Sequence, residues 1–210
     1  MNLINKFKEP LKIFFEEKEI NDLYQDYLII EKHWDNFFRR MDFINLVMIA
    51  EAPLSGEGYI YNPDSKKNND GGSQFLYKKQ LCECLEIYKK SDYFIEGKGK
   101  MELMIELGLL VIEAYPYALD PKRHKNNFKK GLGVKNTDEL FMRTKSWHFY
   151  NKIKQINHRF SSVPTYAFRY RGNMHNLNPL IEMNEEIHCI GGDYGNLNSK
   201  ELHKIYKNFN

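Results

Sequence analysis

The fold is decided by the stretch Phe43–Ala50, FINLVMIA, which is nearly continuously apolar. Three further apolar runs follow it along the chain, at Gly108–Ala114, Val163–Phe168 and Ile187–Ile190. Alternating apolar and polar residues are typical of strands with one solvated face, whereas continuous apolar runs are typical of strands covered on both faces. The four runs therefore predict a parallel sheet with helices against its two faces.

Helical patterns lie between and around these runs, at Asn21–Phe38, Ser73–Lys90, Met101–Leu107, Thr137–Phe160 and Ser199–Phe209. Strands that alternate with helices predict the α/β class. We expect a three-layer α/β/α sandwich with a central four-stranded parallel sheet. The pattern divides the chain into an N-terminal helical region over 1–40 and the α/β/α domain over 41–210.

Length and composition exclude several classes of protein. With 210 residues, 42% hydrophobic and 28% charged, the chain has the composition of a soluble globular protein that needs no disulfide or metal staple. Its three cysteines are too few for a zinc ribbon or an iron–sulfur cluster, and they predict reduced thiols in a cytoplasm. The N-terminus lacks a signal peptide's apolar core, and no apolar stretch is long enough to span a membrane. The histidines show no metal-ligand spacing, so we expect neither metal nor cofactor.

The net charge of +3 conceals a segregation of charge along the chain. Residues 121–172 hold 13 lysines and arginines against two acidic residues, a net charge of +11, and the remainder of the chain carries −8. Such a basic block predicts a polyanionic partner such as DNA. The residues expected to contact phosphates are Arg143, Lys145, Lys152, Arg169 and Arg171. The alternative interpretation is a solvated cationic face without a partner.

Chemistry-bearing residues follow the first apolar run, at the strand end where open α/β sheets bind ligands. Glu51 comes directly after the strand and has the chemistry of a general base or of a group that orients water. Tyr59, Tyr61 and Asn62 follow, and tyrosine rings offer planar faces on which a base or sugar stacks. In the alternative interpretation Glu51 caps local N–H groups and the tyrosines cover the sheet edge.

The other three strand exits carry similar residues. Glu113 ends the second run beside Tyr115, and a buried carboxylate must be paired, so Glu113 predicts either a Lys or Arg partner or a contact with substrate. Arg169 and Arg171 are the expected partners, and they alternate with aromatic residues, which also suits phosphate contact. The fourth exit is a glycine-rich turn before a helix, an arrangement that favours anions, and it contains Asp193 and Asn196.

These strand exits resemble those of the uracil-DNA glycosylase superfamily. That superfamily has a four-stranded parallel sheet between helices, and its first motif, Gly-Glu-Ala-Pro or a near relative, follows the first strand. Here Ala50-Glu51-Ala52-Pro53 stands at that place, and Glu113-Ala114-Tyr115-Pro116 stands where such proteins place a short acidic-aromatic-proline segment. The resemblance covers about residues 43–207 and is greatest to the uncharacterised glycosylase-like branch.

The resemblance implies that the protein binds DNA or a nucleobase at the strand ends and hydrolyses the N-glycosidic bond of a modified base. It implies Glu51 as the catalytic carboxylate and Phe75 as a ring that stacks on an extruded base. The residues expected to bind substrate are Tyr59, Tyr61, Asn62, Phe75, Glu113, Tyr115, Asp193 and Asn196. Where the family's last motif offers His-Pro-Ser, this chain has Gly192-Asp193-Tyr194. The alternative is a non-catalytic nucleic-acid- or partner-binding module on the same fold.

Overall fold

The structure is a computed structural model that describes residues 2–53, 58–65, 76–89, 98–118, 139–162, 164–168, 187–189 and 198–209. Strand β1, Leu46–Ala50, lies between β2, Leu109–Glu113, and β3, Thr165–Phe168, and is parallel to both. The backbone of β4, Ile187–Cys189, runs parallel beside β3. Every residue of β1 and β2 is buried, as continuous apolar runs predict. The α/β class with a parallel sheet is confirmed.

The helices of the described chain are α1, Leu3–Lys8, with a 3₁₀ turn at Glu9–Leu11, then α2, Glu17–Arg39, α3, Lys78–Lys89, α4, Lys100–Leu107, α5, Phe149–Arg159, and α6, Ser199–Lys207. α3 packs against both α4 and α6, whereas α1 packs against α2. None of the helices in these ranges combines the length and apolar character needed to cross a lipid bilayer.

The helix expected over Thr137–Phe160 is interrupted. Residues 139–144 are helical, residues 145–148 form a turn, and α5 begins at Phe149. The hydroxyl of Thr144 donates to the carbonyls of Leu140 at 2.9 Å and Phe141 at 3.3 Å, and such bonds to the preceding turn bend helices. The interruption directs the side chain of His148 into the core, where it is 3% exposed.

The N-terminal helices share the core of the sheet. The indole Nε1 of Trp34 donates to the carbonyl of Val111 in β2 at 3.2 Å, and the hydroxyl of Tyr117 donates to the carbonyl of Phe7 at 3.2 Å. Phe7 and Trp34 are fully buried in the same apolar cluster as β1 and β2. Residues 2–40 are thus largely helical, and they pack on the sheet directly.

A single arginine fixes the end of α2 near the start of the sheet. The guanidinium of Arg159 donates to the carbonyls of Phe38 at 2.6 Å, Arg39 at 3.0 Å and Met41 at 2.7 Å. The last carbonyls of a helix have no partner within the helix, so these bonds satisfy groups that would otherwise need water. The guanidinium also lies over the rings of Phe38 and Phe160, 4.9 and 5.1 Å from their centroids.

A tyrosine from the segment after β1 contacts the outer side of β2. The hydroxyl of Tyr61 accepts from the N–H of Val111 at 2.5 Å and donates to its carbonyl at 3.1 Å. Its ring stacks on Phe37 of α2, with 4.1 Å between the centroids. The chain that leaves the carboxyl end of β1 therefore returns along the sheet edge and is held there by α2.

Gly108 joins α4 to β2 and provides a sharp test of this framework. Its φ is +61°, and a Cβ at this position would lie 2.7 Å from Cε2 of Phe43 and 2.8 Å from the backbone nitrogen of Asn45. We expect Gly108→Ala to lower the free energy of unfolding by about 3 kcal/mol, because the left-handed backbone and the clash both disfavour a side chain. Urea denaturation measures the change.

Gly99, at the other end of α4, is the matched control. Its φ is −78°, and an added Cβ would meet only the flexible carboxylate of Glu102, at 3.1 Å. Gly99→Ala should cost less than about 1 kcal/mol. Equal losses for the two variants would contradict the conformation assigned to Gly108.

Candidate functional site at the carboxyl ends of the strands

The exits of β1 and β2 stay paired beyond the strands. The register aligns Ala50 with Glu113, and the ladder continues as Ala114 N–H donates to the Ala50 carbonyl and Tyr115 N–H to the Glu51 carbonyl, both at 3.0 Å. Glu51 is half-buried at this junction. The first and second exits therefore meet where Glu51 stands, as the parallel topology predicts.

A buried charged cluster lies beside this junction. Glu113 is 3% exposed, and its Oε2 accepts from the hydroxyl of Tyr59 at 3.4 Å. The ammonium of Lys152 on α5 lies 3.9 Å from Oε2 of Glu113 and 2.8 Å from Oε1 of Glu31 on α2. It also lies 4.4 Å from the ring centroid of Trp34. The expected cationic partner of Glu113 exists, and among the described residues it is Lys152.

Burial governs the protonation of this cluster. Desolvation raises the pKa of Glu113 to about 7, although the nearby Lys152 opposes the shift, and Glu31 adds to it. Burial together with the Glu113 carboxylate raises the pKa of Tyr59 well above its ordinary value. The phenol therefore remains protonated and donates to a carboxyl group that is half-ionised near neutral pH.

His148 is buried next to the cluster. Burial first, and the charge of Lys152 second, hold the pKa of His148 well below its ordinary value, while backbone hydrogen bonds with Glu113 and Tyr115 act in the opposite direction. Its Nε2 is buried and has no hydrogen-bond partner among the residues that the structure describes. The imidazole is therefore neutral at physiological pH, with one nitrogen uncommitted beside the exit of β2.

The aromatic residues expected in a base pocket lie in the core. Tyr59 and Tyr61 are 1% and 2% exposed, and Tyr115 is 4% exposed with its ring 5.8 Å from that of Phe141. Each phenol of the first exit is committed, Tyr59 to Glu113 and Tyr61 to Val111. We therefore assign these three rings to the packing of the strand exits instead of to an open pocket, which corrects the expectation for them.

The remaining expected substrate contacts divide into two groups. Asn62 is half-buried, and its Oδ1 accepts from the N–H of Asp64 at 3.0 Å, a local turn that shapes the end of the first exit. Phe75, Asp193 and Asn196 lie outside the described residues.

The residues expected to contact phosphates do not share one environment. Lys152 is 1% exposed and belongs to the buried cluster, so it does not reach a surface ligand, which corrects that expectation. Arg143 is exposed and pairs with Glu139 one turn earlier at 2.5 Å, so the helix does contain an internal ion pair. Lys145 lies 6.0 Å from the ring centroid of Tyr150. Arg169 and Arg171 lie outside the described residues.

The spacing of residues along α5 predicts that Lys152 is buried. Phe149, Lys152, Ile153 and Ile156 are the buried residues of α5, and they follow the i, i+3, i+4, i+7 pattern of a core-facing stripe. A lysine within such a stripe favours a buried carboxylate partner, since an unpaired ammonium in a core is costly. Glu31, the nearer partner, stands next to Ile30 on the buried side of α2.

A basic surface of α5 extends from the level of Lys152 toward the amino end of the sheet, where Arg159 lies. An open groove of about 730 Å³ is lined by Phe38, Lys154, Gln155, His158 and Arg159. Arg159 contacts the end of α2, whose chain leads into the start of β1, whereas Glu51 follows the end of β1. Five residues of strand separate the two ends by about 15 Å.

The fold and the site define a class: an α/β protein with a parallel sheet, a half-buried carboxylate at the exit of its central strand, and a buried acid–base cluster beside it. The described residues contain no group of three or more side chains suited to hold a metal ion. Comparisons with protein-family models, curated proteins and solved structures found no match to this chain.

The raised pKa of Glu113 predicts a pH-dependent stability. In the unfolded chain the carboxyl has its ordinary pKa of 4.5, and in the folded protein about 7, so the folded state loses stability as pH rises through this window. We expect Glu113→Gln to be more stable than wild type by about 3 kcal/mol at pH 8 and nearly equal to it at pH 4. Urea denaturation at both pH values measures the difference, from which the His148 contribution cancels.

Glu31→Gln is the matched control for this prediction. It also replaces a carboxylate by an amide, but it removes the partner that lies 2.8 Å from Lys152. We expect it to destabilise the protein at pH 8 by about 2 kcal/mol, because the buried ammonium loses its nearer counter-charge. If Glu113→Gln destabilises the protein at pH 8 as well, Glu113 is an ordinary ionised partner and the raised pKa is refuted.

Proposed function

We propose that this protein is a uracil-DNA glycosylase-like protein that binds a nucleobase of DNA at the carboxyl ends of its strands. The proposal includes the full architecture, a three-layer α/β/α sandwich around a four-stranded parallel sheet. Its support is the strand order β2-β1-β3-β4 and two separate helix groups, α1 with α2 and α3 with α4 and α6.

The observation that carries the proposal is the position of Glu51. The segment Ala50-Glu51-Ala52-Pro53 leaves β1, which has a partner strand on each side, and open α/β sheets bind ligands outside such strand ends. The hydrogen bond from Tyr115 to the Glu51 carbonyl fixes the backbone, and the side chain is half-buried. A carboxylate at a strand end has the chemistry needed to orient a water molecule toward a ligand bound there, which supports the proposal.

In the proposed reaction Glu51 orients a water molecule toward C1′ of the sugar. The bond from C1′ to the base nitrogen breaks, its electron pair leaves with the base, and the carboxylate stabilises the positive charge that develops on the sugar. The water oxygen then bonds to C1′, and Glu51 takes the water proton. A base within a duplex must first be flipped out, at a cost of a few kcal/mol.

The buried cluster supports this role by holding the loop that contains Glu51. Tyr59 follows Glu51 in the chain, and its bond to Glu113 ties that side of the first exit to the second strand. The Glu113 carboxylate in turn lies close to Lys152 on α5, and Lys152 lies close to Glu31 on α2. In the proposal these residues do not touch the substrate and act by fixing the strand exits that flank Glu51.

A non-catalytic nucleic-acid-binding module is the second candidate. The observation that favours it is the basic groove at the other end of the sheet, where binding would need no chemistry at Glu51. The two candidates differ in one variant: Glu51→Gln abolishes the function of the first and leaves that of the second unchanged.

We place the protein in a cytoplasm, a proposal that rests on its thiols. Cys82 and Cys84 are free, and burial raises the pKa of both, that of Cys84 to about 12. Both thiols therefore stay protonated at neutral pH, which suits a reducing compartment that leaves them unpaired.

The enzymatic proposal is tested with oligonucleotides that contain uracil, hypoxanthine or xanthine. We expect wild-type protein, purified from a host that lacks uracil glycosylase activity, to leave sites that alkali cleaves. Glu51→Gln should lower the single-turnover rate by at least about 100-fold, the usual contribution of a positioned acid–base group.

Asp64→Asn is the matched control, since Asp64 is an exposed carboxylate in the same exit. Its rate should stay within twofold of wild type. If none of the three bases is released by the wild type, or if Glu51→Gln and Asp64→Asn have equal rates, the enzymatic proposal is wrong.

A further inference from the structure

A buried lysine on α4 lacks a counter-charge. Lys100 is 2% exposed, and its Nζ has no hydrogen-bond partner within the part of the chain that the structure describes. Burial lowers the pKa of this amine, and no charged neighbour among those residues contributes to the shift. By contrast, the buried ammonium of Lys152 lies 2.8 Å from a carboxylate oxygen of Glu31. An unpaired buried ammonium is costly, and an anionic ligand is a group that relieves this cost.

Lys100 is the first residue of α4 and therefore lies toward the carboxyl ends of the strands. β1 and β2 are parallel, so the chain between them must return to the start of β2, and α4 ends there at the turn of Gly108. The first residue of α4 is consequently directed toward the other end of the sheet. Side chains on a helix tilt toward its N-terminus, so the ammonium of Lys100 extends past the first turn. The buried residues of this helix are Lys100, Leu103, Met104 and Leu107.

The first turn of α4 offers backbone N–H groups at the same place. The first N–H groups of a helix have no partner within it, and the helix dipole attracts anions to this end. The N-cap residue is Gly99, which has no side chain with which to bond these groups. The exposed carboxylate of Glu102 accepts from the N–H of Gly99, so an acidic group already lies at this turn. Because Glu102 is exposed, an incoming anion can displace its carboxylate into water.

We propose that the N-terminus of α4 binds a phosphate group, with the Lys100 ammonium as its counter-charge and the first-turn amides as hydrogen-bond donors. A phosphate has enough acceptor oxygens to bond the ammonium and the amides at once. Gly99 leaves room for the close approach of such a ligand to the backbone. Lys98 is not the cation of this site, because it pairs with Glu106. The site is independent of the function proposed for Glu51.

The test is a titration of the isotope-labelled full-length protein with sodium phosphate, followed by NMR and compared with sodium chloride at equal ionic strength. We expect saturable shifts of the Lys100 and Met101 amide signals with phosphate alone. Lys100→Met removes the charge and keeps an apolar chain of similar length. It should lower the affinity for phosphate at least about tenfold, because a charge-assisted hydrogen bond is lost.

Lys89→Met is the matched control, since it makes the same substitution at a lysine of α3 that pairs with Glu106. We expect its affinity for phosphate to stay within twofold of wild type. Gly99→Asp is a second variant, which keeps the test decisive if Lys100→Met fails to fold. Its new carboxylate should cap the first-turn amides, exclude phosphate and stabilise α4. Circular dichroism of each variant shows whether it is folded.

A parallel titration with thymidine 5′-monophosphate identifies the source of the phosphate. Tighter binding of this nucleotide than of inorganic phosphate indicates a nucleotide ligand, and equal binding indicates free phosphate; both results support the site. The titrations contain no DNA, so an absence of base release by the protein leaves their outcome unchanged.

Three outcomes would overturn the proposal. Equal phosphate affinities for Lys100→Met and Lys89→Met would show that the buried amine takes no part in binding. Shifts that chloride reproduces, or that grow without saturation, would indicate an unspecific effect of anions. Undiminished binding in Gly99→Asp would place the phosphate away from the first turn of α4.

Discussion

The packing of α5 and α2 beside the strand exits depends on the buried ammonium group of Lys152. Lys152 extends from α5 into a space closed by α2 and β2, and each of these elements contributes one carboxylate, Glu31 and Glu113. Removing the nearest counter-charge of a buried ammonium is costly, so the contact with Glu31 favours one alignment of α5 on α2. The indole of Trp34, which Lys152 also contacts, is in turn bonded to β2. These contacts therefore hold the end of β2, α5 and α2 together.

The N-terminal 40 residues help to bury this charged cluster. Without α2, Glu113 and Lys152 would face water, and the pKa of Glu113 would return toward its ordinary value. The N-terminal helices therefore set the electrostatic environment of the strand exits as well as covering the sheet. Arg159 at the end of α5 also holds α2, because its guanidinium donates to the carbonyls at the end of that helix.

The sequence predicts the framework well, because continuous apolar runs have few alternatives to buried parallel strands. It does not predict which polar residues are internal. Lys152 stands among surface lysines in the sequence, and only its place in the apolar stripe of α5 marks it as buried. Tyr59 and Tyr61 are residue types typical of a ligand-binding loop. In the structure, however, their hydroxyls form hydrogen bonds with Glu113 and with the backbone of Val111. The count of charges along 121–172 likewise gives no information on the end of the sheet at which each cation lies.

Tyr61 and Trp34 have a consequence for the protein in concentrated solution. Among the described strands β2 pairs only with β1, and an outer strand with unbonded N–H and carbonyl groups is a template on which a second molecule adds a strand. At Val111, in the middle of β2, the Tyr61 hydroxyl bonds both backbone groups, and the Trp34 indole bonds the carbonyl as well. Two side chains thus take the place of a neighbouring strand at Val111, so a second molecule could bond these backbone groups only by displacing them.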